Sequence, residues 1–174
     1  MANFASLRGP VGMNRVYTRV PAGPIDTDAW LAALKAGRSF ATNGPLLGFT
    51  LGGAAIGDEL KADGPVAYDF SVRLRSIVAV DHLDLVCNGK PVRSFVEGKP
   101  IKQGEFKGRV EMNASGWCVV RASSDGGRYP VLDNYVYATT SPVYVTIGGK
   151  PPRSSTDAAY FTAWIDRISE ATSG

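Results

Sequence analysis

The sequence predicts a mainly β protein, an immunoglobulin-like β-sandwich of about eight or nine strands with two flanking helices. Short apolar runs alternate with polar residues along most of the chain, at the period of two that half-buried strands have. The 20 glycines and 11 prolines fall between these runs, as expected for turns. With 174 residues, 44% hydrophobic and 20% charged, the chain is expected to form one domain over residues 1–174.

The strand candidates are residues 14–20, 39–42, 46–51, 68–74, 83–87, 92–96, 106–112, 117–122, 135–138 and 143–147. Asn43-Gly44-Pro45 indicates a tight turn between two extended segments, and Asn88-Gly89 is typical of a two-residue hairpin.

Two segments have the 3.6-residue period of an amphipathic helix. The first spans about 27–36, where Asp26 or Thr27 can cap the start and Gly37 can end the helix. The second spans about 156–170, where Ser154 followed by Asp157 resembles a capping box. We expect the apolar side of the second helix to dock on the outside or end of the sandwich.

The composition of the chain argues against several kinds of function. The chain has one histidine, His82, so a self-contained zinc or di-metal site is not expected and no cofactor is predicted. A net charge of +3 without a basic run predicts no nucleic-acid partner. Residues 1–10 lack the apolar core of a signal peptide, and no apolar stretch is long enough to cross a membrane. The sequence does not indicate a compartment.

His82 lies between two carboxylates, Asp81 and Asp84, and has two interpretations. An enzyme could use these three residues in acid–base chemistry, but spacing nominates no further partner for the histidine. The favoured interpretation is a surface or turn histidine, so this chain is not expected to be an enzyme by itself.

The two cysteines, Cys87 and Cys118, fall on the inward phases of their strands. They could bridge the two sheets as in immunoglobulin domains, but their separation does not match that bridge, and Trp117 would point away from Cys118. Buried free thiols are favoured.

Two further patterns have ordinary explanations. The glycine-rich stretches 51–57 and 147–150 do not open a helix after a strand, so they are interpreted as turns rather than phosphate loops. The basic residues Arg73, Arg75, Lys107, Arg109 and Arg121 alternate with acidic ones, which is typical of a solvated sheet face.

Five blocks of sequence carry a family resemblance; they are residues 14–17, 30–47, 81–89, 131–133 with 138–145, and 157–167. The run from Gly37 to Leu47, GRSFATNGPLL, is the most specific. Together the blocks resemble the C-terminal portion of the carbaryl-hydrolase-like CehA/McbA metallohydrolases, a branch of the PHP (polymerase and histidinol phosphatase) superfamily.

The resemblance implies a parent protein in which an N-terminal α/β barrel binds metals and a β-sandwich follows. The barrel's metal ligands have no counterparts in this chain, so no catalytic or metal-binding residue is carried over. The chain is therefore expected to be a non-catalytic accessory sandwich that packs on a metal-dependent hydrolase domain. In the absence of that domain it is expected to form a weak homodimer.

The candidate inter-domain or ligand contacts are Arg15 and Tyr17 on the first strand, and Arg38 and Asn43 in the most specific block. Two of these have structural alternatives: Arg38 could anchor a carboxylate such as Asp58, and Asn43 could take a left-handed turn conformation before Gly44.

The alternative function is a free-standing module that binds a carbohydrate or another small ligand. Asn134 and Tyr135 would contribute to such a site, together with Tyr129, Tyr137 and Tyr144. Tyrosines that alternate in strands are also common as half-buried structural residues, so both interpretations stay open.

Overall fold

The computed structural model describes residues 12–24, 26–131 and 133–172, and the predicted mainly β sandwich with two helices is confirmed. The elements in chain order are β1 (Arg15–Thr18), α1 (Thr27–Lys35), β2 (Ser39–Thr42), β3 (Leu46–Leu51), β4 (Ala54–Ala55), β5 (Glu59–Ala62), β6 (Val66–Val80), β7 (His82–Cys87), β8 (Lys90–Ser94), β9 (Ile101–Met112), β10 (Gly116–Ser123), β11 (Tyr137–Thr140), β12 (Val143–Ile147) and α2 (Ser155–Thr172).

The larger sheet is built around β10. Strand β7 pairs antiparallel along one edge of β10 and carries β8 on its outer side. Along the other edge, β11 pairs with the second half of β10 and β12 with the first half. The sheet continues through β2 to β1 beside β11, and through the parallel strand β5 beside β12.

The smaller sheet has the order β4-β3-β6-β9. The long strands β6 and β9 pair antiparallel, with an irregularity between Arg75 and Val80, and β3 pairs with the middle of β6. The inward residues of both sheets form one core, in which Leu51, Val72, Leu83 and Val120 are fully enclosed. Alternation along β6 follows the predicted period, because Phe70, Val72 and Leu74 are buried and the residues between them are not.

The two predicted turns have different outcomes. Asn88 and Gly89 both have positive φ, 50° and 78°, and join β7 to β8 as the predicted two-residue hairpin. The segment Asn43-Gly44-Pro45 is not a hairpin turn, because β2 and β3 belong to different sheets. It carries the chain from one layer of the sandwich to the other.

The expectation of free thiols is wrong: Cys87 and Cys118 form a disulfide. The bridge does not join the two sheets, because the two residues lie opposite each other on the neighbouring strands β7 and β10. Both side chains are on the core side of that sheet, with 4.2 Å between the Cα atoms. Such close approach is typical of non-hydrogen-bonded pairs in antiparallel sheets.

Helix α1 begins and ends as predicted. The Asp26 carboxylate accepts hydrogen bonds from the backbone N–H groups of Asp28 and Ala29, at 2.9 and 3.2 Å. At the other end Gly37 has a φ of 70°, and the next residue, Arg38, donates its backbone N–H to the carbonyl of Ala33. This pattern is a Schellman motif, which satisfies the last carbonyls of the helix.

The second helix forms, with Ser154 as its cap, because the Ser154 hydroxyl accepts a hydrogen bond from the backbone N–H of Asp157 at 3.1 Å. Its predicted docking on the sandwich is wrong, since every residue of α2 is exposed. The uncovered apolar side chains are Tyr160, Phe161, Trp164, Ile165 and Ile168. Within the described residues, neither helix is long and apolar enough to span a membrane.

Candidate functional sites

Asn43 forms the centre of a buried polar network. Its side-chain amide donates to the backbone carbonyl of Tyr135 at 2.8 Å and to the Asp133 carboxylate at 3.2 Å, and its side-chain oxygen accepts the N–H of Tyr137 at 2.8 Å. Asn43 is only 6% exposed, so its role is to fasten the loop before β11 to the end of β2. The expected left-handed conformation is wrong, because Asn88 is the non-glycine residue with positive φ in the described part of the chain.

The candidate tyrosines do not form one surface. Tyr135 is half exposed and contacts Tyr137 edge to face at 6.1 Å, with exposed Asn134 beside it in the chain. Tyr129 is 88% exposed in the same loop region. Tyr144 lies elsewhere, on β12 opposite Trp117 of β10. The geometry therefore reduces the candidate aromatic site to the loop before β11.

A cleft of about 870 Å³ opens where β1 and β2 face the smaller sheet. Tyr17 and Phe40 occupy opposite register positions and stack at 5.2 Å with an interplanar angle of 12°. Two residues beyond Tyr17, the backbone N–H of Arg19 donates to the carbonyl of Arg38 at 2.8 Å. The two arginines are therefore the next cross-strand pair on the same face as Tyr17 and Phe40. Both arginines line the cleft. Leu47, Phe49 and Ile56 form its apolar floor.

The acidic residue of this cleft, Asp58, is held by its own turn. Its carboxylate accepts the backbone N–H of Ala55 at 3.1 Å. The expected anchoring of Arg38 by Asp58 is wrong, because no ion pair joins them within the described structure. Arg73, at the edge of the cleft, pairs instead with Glu105 at 3.2 Å.

Arg15 lies two residues before Tyr17, on the same face of β1. Its guanidinium donates to the backbone carbonyl of Asn43 at 3.2 Å. A second, smaller cleft beside it is lined by Arg75 and Lys102 as well. The structure thus brings the predicted residues Arg15, Tyr17 and Arg38 onto one face, whereas Asn134 and Tyr135 lie in the loop that the Asn43 side chain fastens to the end of β2.

His82 begins β7 and forms a surface pair with Asp125. The distance from His82 Nε2 to Asp125 Oδ1 is 2.7 Å, and this hydrogen bond raises the pKa of His82 above its usual value of 6.5. The neighbouring Asp81 receives two hydrogen bonds of 2.7 Å from Arg128, which lower the pKa of the carboxyl, with a further contribution from the backbone N–H of Asp125.

Sequence spacing did not nominate Asp125 as the partner of His82, because the contact spans 43 residues. The third residue considered, Asp84, accepts instead from the Ser94 hydroxyl at 2.6 Å. No hydrogen bond in the described structure links His82 to a serine, so the pair lacks the nucleophile that an acid–base–nucleophile constellation needs. Its geometry is that of a salt-linked surface histidine, as favoured from the sequence.

The described residues contain no group of three or more histidine, cysteine, aspartate or glutamate side chains placed to hold a metal ion. Comparisons with protein-family models, with curated proteins and with solved structures found no match to this chain.

Proposed function

We propose that this chain is a non-catalytic accessory β-sandwich that packs against the metal-binding barrel of a PHP-type hydrolase and borders its substrate entrance. The supporting observation is an uncovered apolar surface, which we name the β1–α1 face. Its residues are Val16, Trp30, Leu31 and Leu34.

The amphipathic pattern of α1 favours this proposal. Such a pattern normally marks a helix that buries its apolar side. In α1 no residue is buried, and Leu31 is 50% exposed. Val16 of β1 is 49% exposed, on the side of the strand opposite to Tyr17. Strand β1 and helix α1 are neighbours in the fold, and exposed apolar side chains on neighbouring elements are typical of contacts between domains.

The proposal is tested by mixing this chain with a separately expressed PHP-type barrel from the same genome and measuring association by isothermal titration. We expect Leu31→Glu to weaken binding at least tenfold, because a carboxylate would be placed in an apolar contact. Ile77→Glu, at an exposed apolar position on β6, is the matched control and should bind like the unaltered chain. Absence of binding, or equal effects of both variants, contradicts the proposal. So does metal-dependent hydrolysis by this chain alone that a chelator abolishes.

A second candidate is a free-standing module for a carbohydrate or small ligand, favoured by the exposed Tyr135 beside Asn134. A glycan array tests it. Binding should be lost with Tyr135→Ala and kept with Tyr144→Ala, which removes a similarly exposed ring on β12. A blank array, or identical profiles for both variants, contradicts this candidate.

A further inference from the structure

Arg19 and Arg38 place two like charges side by side on neighbouring strands. Like charges at directly opposite positions destabilise an antiparallel pair. Neither guanidinium has an ion-pair or hydrogen-bonding partner in the described part of the chain, and Asp58 is engaged by the backbone of its own turn. Both side chains are exposed, so the two guanidinium groups are free to bind an anion between them.

Arg19 and Arg38 are the guanidinium groups of the cleft lining without an ion-pair partner in the described structure, whereas Arg73 shares Glu105 with Lys107. A phosphate would place a third charged oxygen against the apolar floor, where it has no partner. Guanidinium groups also present paired N–H donors that match the two oxygens of a carboxylate.

The rest of the cleft indicates what carries the carboxylate. The next rung is the stacked pair Tyr17 and Phe40, and the floor is formed by Leu47, Phe49 and Ile56. Flat rings are well accommodated by aromatic walls, and an apolar floor leaves few polar partners for a heavily hydroxylated ligand.

We propose that the β1–β2 cleft binds a monoanionic carboxylate on a flat apolar ring, with Arg19 and Arg38 holding the carboxylate and the ring lying against the stacked Tyr17–Phe40 pair and the apolar floor. This site is separate from the β1–α1 face, because Val16, Trp30, Leu31 and Leu34 do not line the cleft. Ligand binding in the cleft and packing on a hydrolase barrel can therefore be tested independently of each other.

Titration of the full chain with biphenyl-4-carboxylate tests this inference, using calorimetry and backbone amide NMR shifts. We expect one binding event, with the largest shifts at Arg19, Arg38, Phe40 and Phe49. The neutral biphenyl-4-carboxamide should bind at least tenfold more weakly, because it lacks the charge that the arginine pair recognises. Biphenyl-4-yl phosphate should bind no more tightly than the carboxylate.

Substitutions in the cleft test the contacts to the carboxylate and the contacts to the ring separately. Arg19→Gln and Arg38→Gln should each weaken carboxylate binding about tenfold or more, whereas Arg121→Gln, at an exposed position on β10, should leave it unchanged. Tyr17→Ala should weaken the carboxylate and the carboxamide alike. Without probe, neither Gln variant should have a lower melting temperature than the unaltered chain, since each removes a like-charge contact.

Four binding results overturn the inference, and a stability result given below is the fifth. The binding results are no binding up to millimolar probe, equal affinity for carboxylate and carboxamide, tighter binding of the phosphate, and insensitivity to Arg19→Gln and Arg38→Gln. A lower melting temperature in both Gln variants would show that the arginines stabilise the fold, and would also overturn it.

Discussion

Asn43 stabilises the sandwich through hydrogen bonds that no exposed residue could supply. Replacing it with alanine leaves the partly buried Tyr137 N–H and Tyr135 carbonyl without these partners, each of which costs about 1–3 kcal/mol. We expect Asn43→Ala to lower the free energy of unfolding by about 3 kcal/mol in urea denaturation. Asn113→Ala, at an exposed position, is the control and should change it by less than about 0.5 kcal/mol. Similar values for both would contradict this role.

His82 gives a direct measurement of its pair with Asp125, because its imidazole is the one histidine signal of the chain. The hydrogen bond that the His82 ring donates to the Asp125 carboxylate raises the pKa of His82, so NMR should give a titration midpoint above 6.5, and Asp125→Asn should move it down. A raised folded-state pKa stabilises the protein fully below the unfolded pKa of about 6.5, and this contribution is lost as pH rises through the folded pKa. A midpoint unchanged by Asp125→Asn would contradict the pairing.

At the scale of elements, the junction of α1 and β2 depends on a glycine in another loop. Gly57 has a φ of 89°, and a Cβ atom at this position would clash with the carbonyl oxygen of Ala36. We expect Gly57→Ala to destabilise the protein by about 3 kcal/mol or more, measured by chemical denaturation. Gly64→Ala meets no atom within 4 Å and should change stability by less than about 1 kcal/mol. Equal tolerance of both substitutions would contradict this account of the junction.

Helix α2 contributes no buried residue to the fold. Removing residues 153–174 should therefore shift the melting temperature by no more than about 1 °C, because surface changes away from packed contacts have small effects. The comparison is Val143→Ala in β12, where a fully buried side chain is truncated at a cost of about 2 kcal/mol. A large loss of stability on removing α2 would show that the helix packs on the sandwich.

The elements also show how far the sequence predicts this fold. Strand β6, the Asn88-Gly89 hairpin and the caps of α1 follow from local patterns, because alternation, turn chemistry and capping act within a few residues. Strands β4 and β5 were not predicted, since they are short and β5 is defined by its pairing with the distant β12. The period of α2 predicted a helix correctly but could not say what covers its apolar side.

The candidate site in the cleft is harder to predict from the sequence than the strands and helices are. The sequence pattern points to Tyr17 and Arg38 as candidate contacts but not to Arg19 and Phe40. In the structure, Phe40 lies opposite Tyr17, and Arg19 lies opposite Arg38. Register between β1 and β2 is a non-local property, set by the path of the chain through α1. The alternation of Arg15, Tyr17 and Arg19 was the one available signal that these side chains share a face.

At the scale of the whole molecule, uncovered apolar side chains predict self-association. The β1–α1 face should make the chain form a weak two-fold dimer, detected by light scattering as an average mass that rises with concentration. Because α2 carries uncovered apolar side chains of its own, the comparison uses a chain that lacks residues 153–174. In that chain Leu31→Glu should return the mass to that of a monomer, and Ile77→Glu should not. A strictly monomeric chain at high concentration would contradict both this prediction and the use of the face as a contact.

The disulfide between Cys87 and Cys118 also changes how the molecule responds to tension. The bridged residues are 31 positions apart, and the segment between them contains β8 and β9, one strand from each sheet. A force applied at the two ends of the chain passes through the bridge and bypasses that segment. About 100 Å of polypeptide is thus withheld from extension while the bond is intact. Stretching can separate the layers, but β8 and β9 remain in a closed covalent ring.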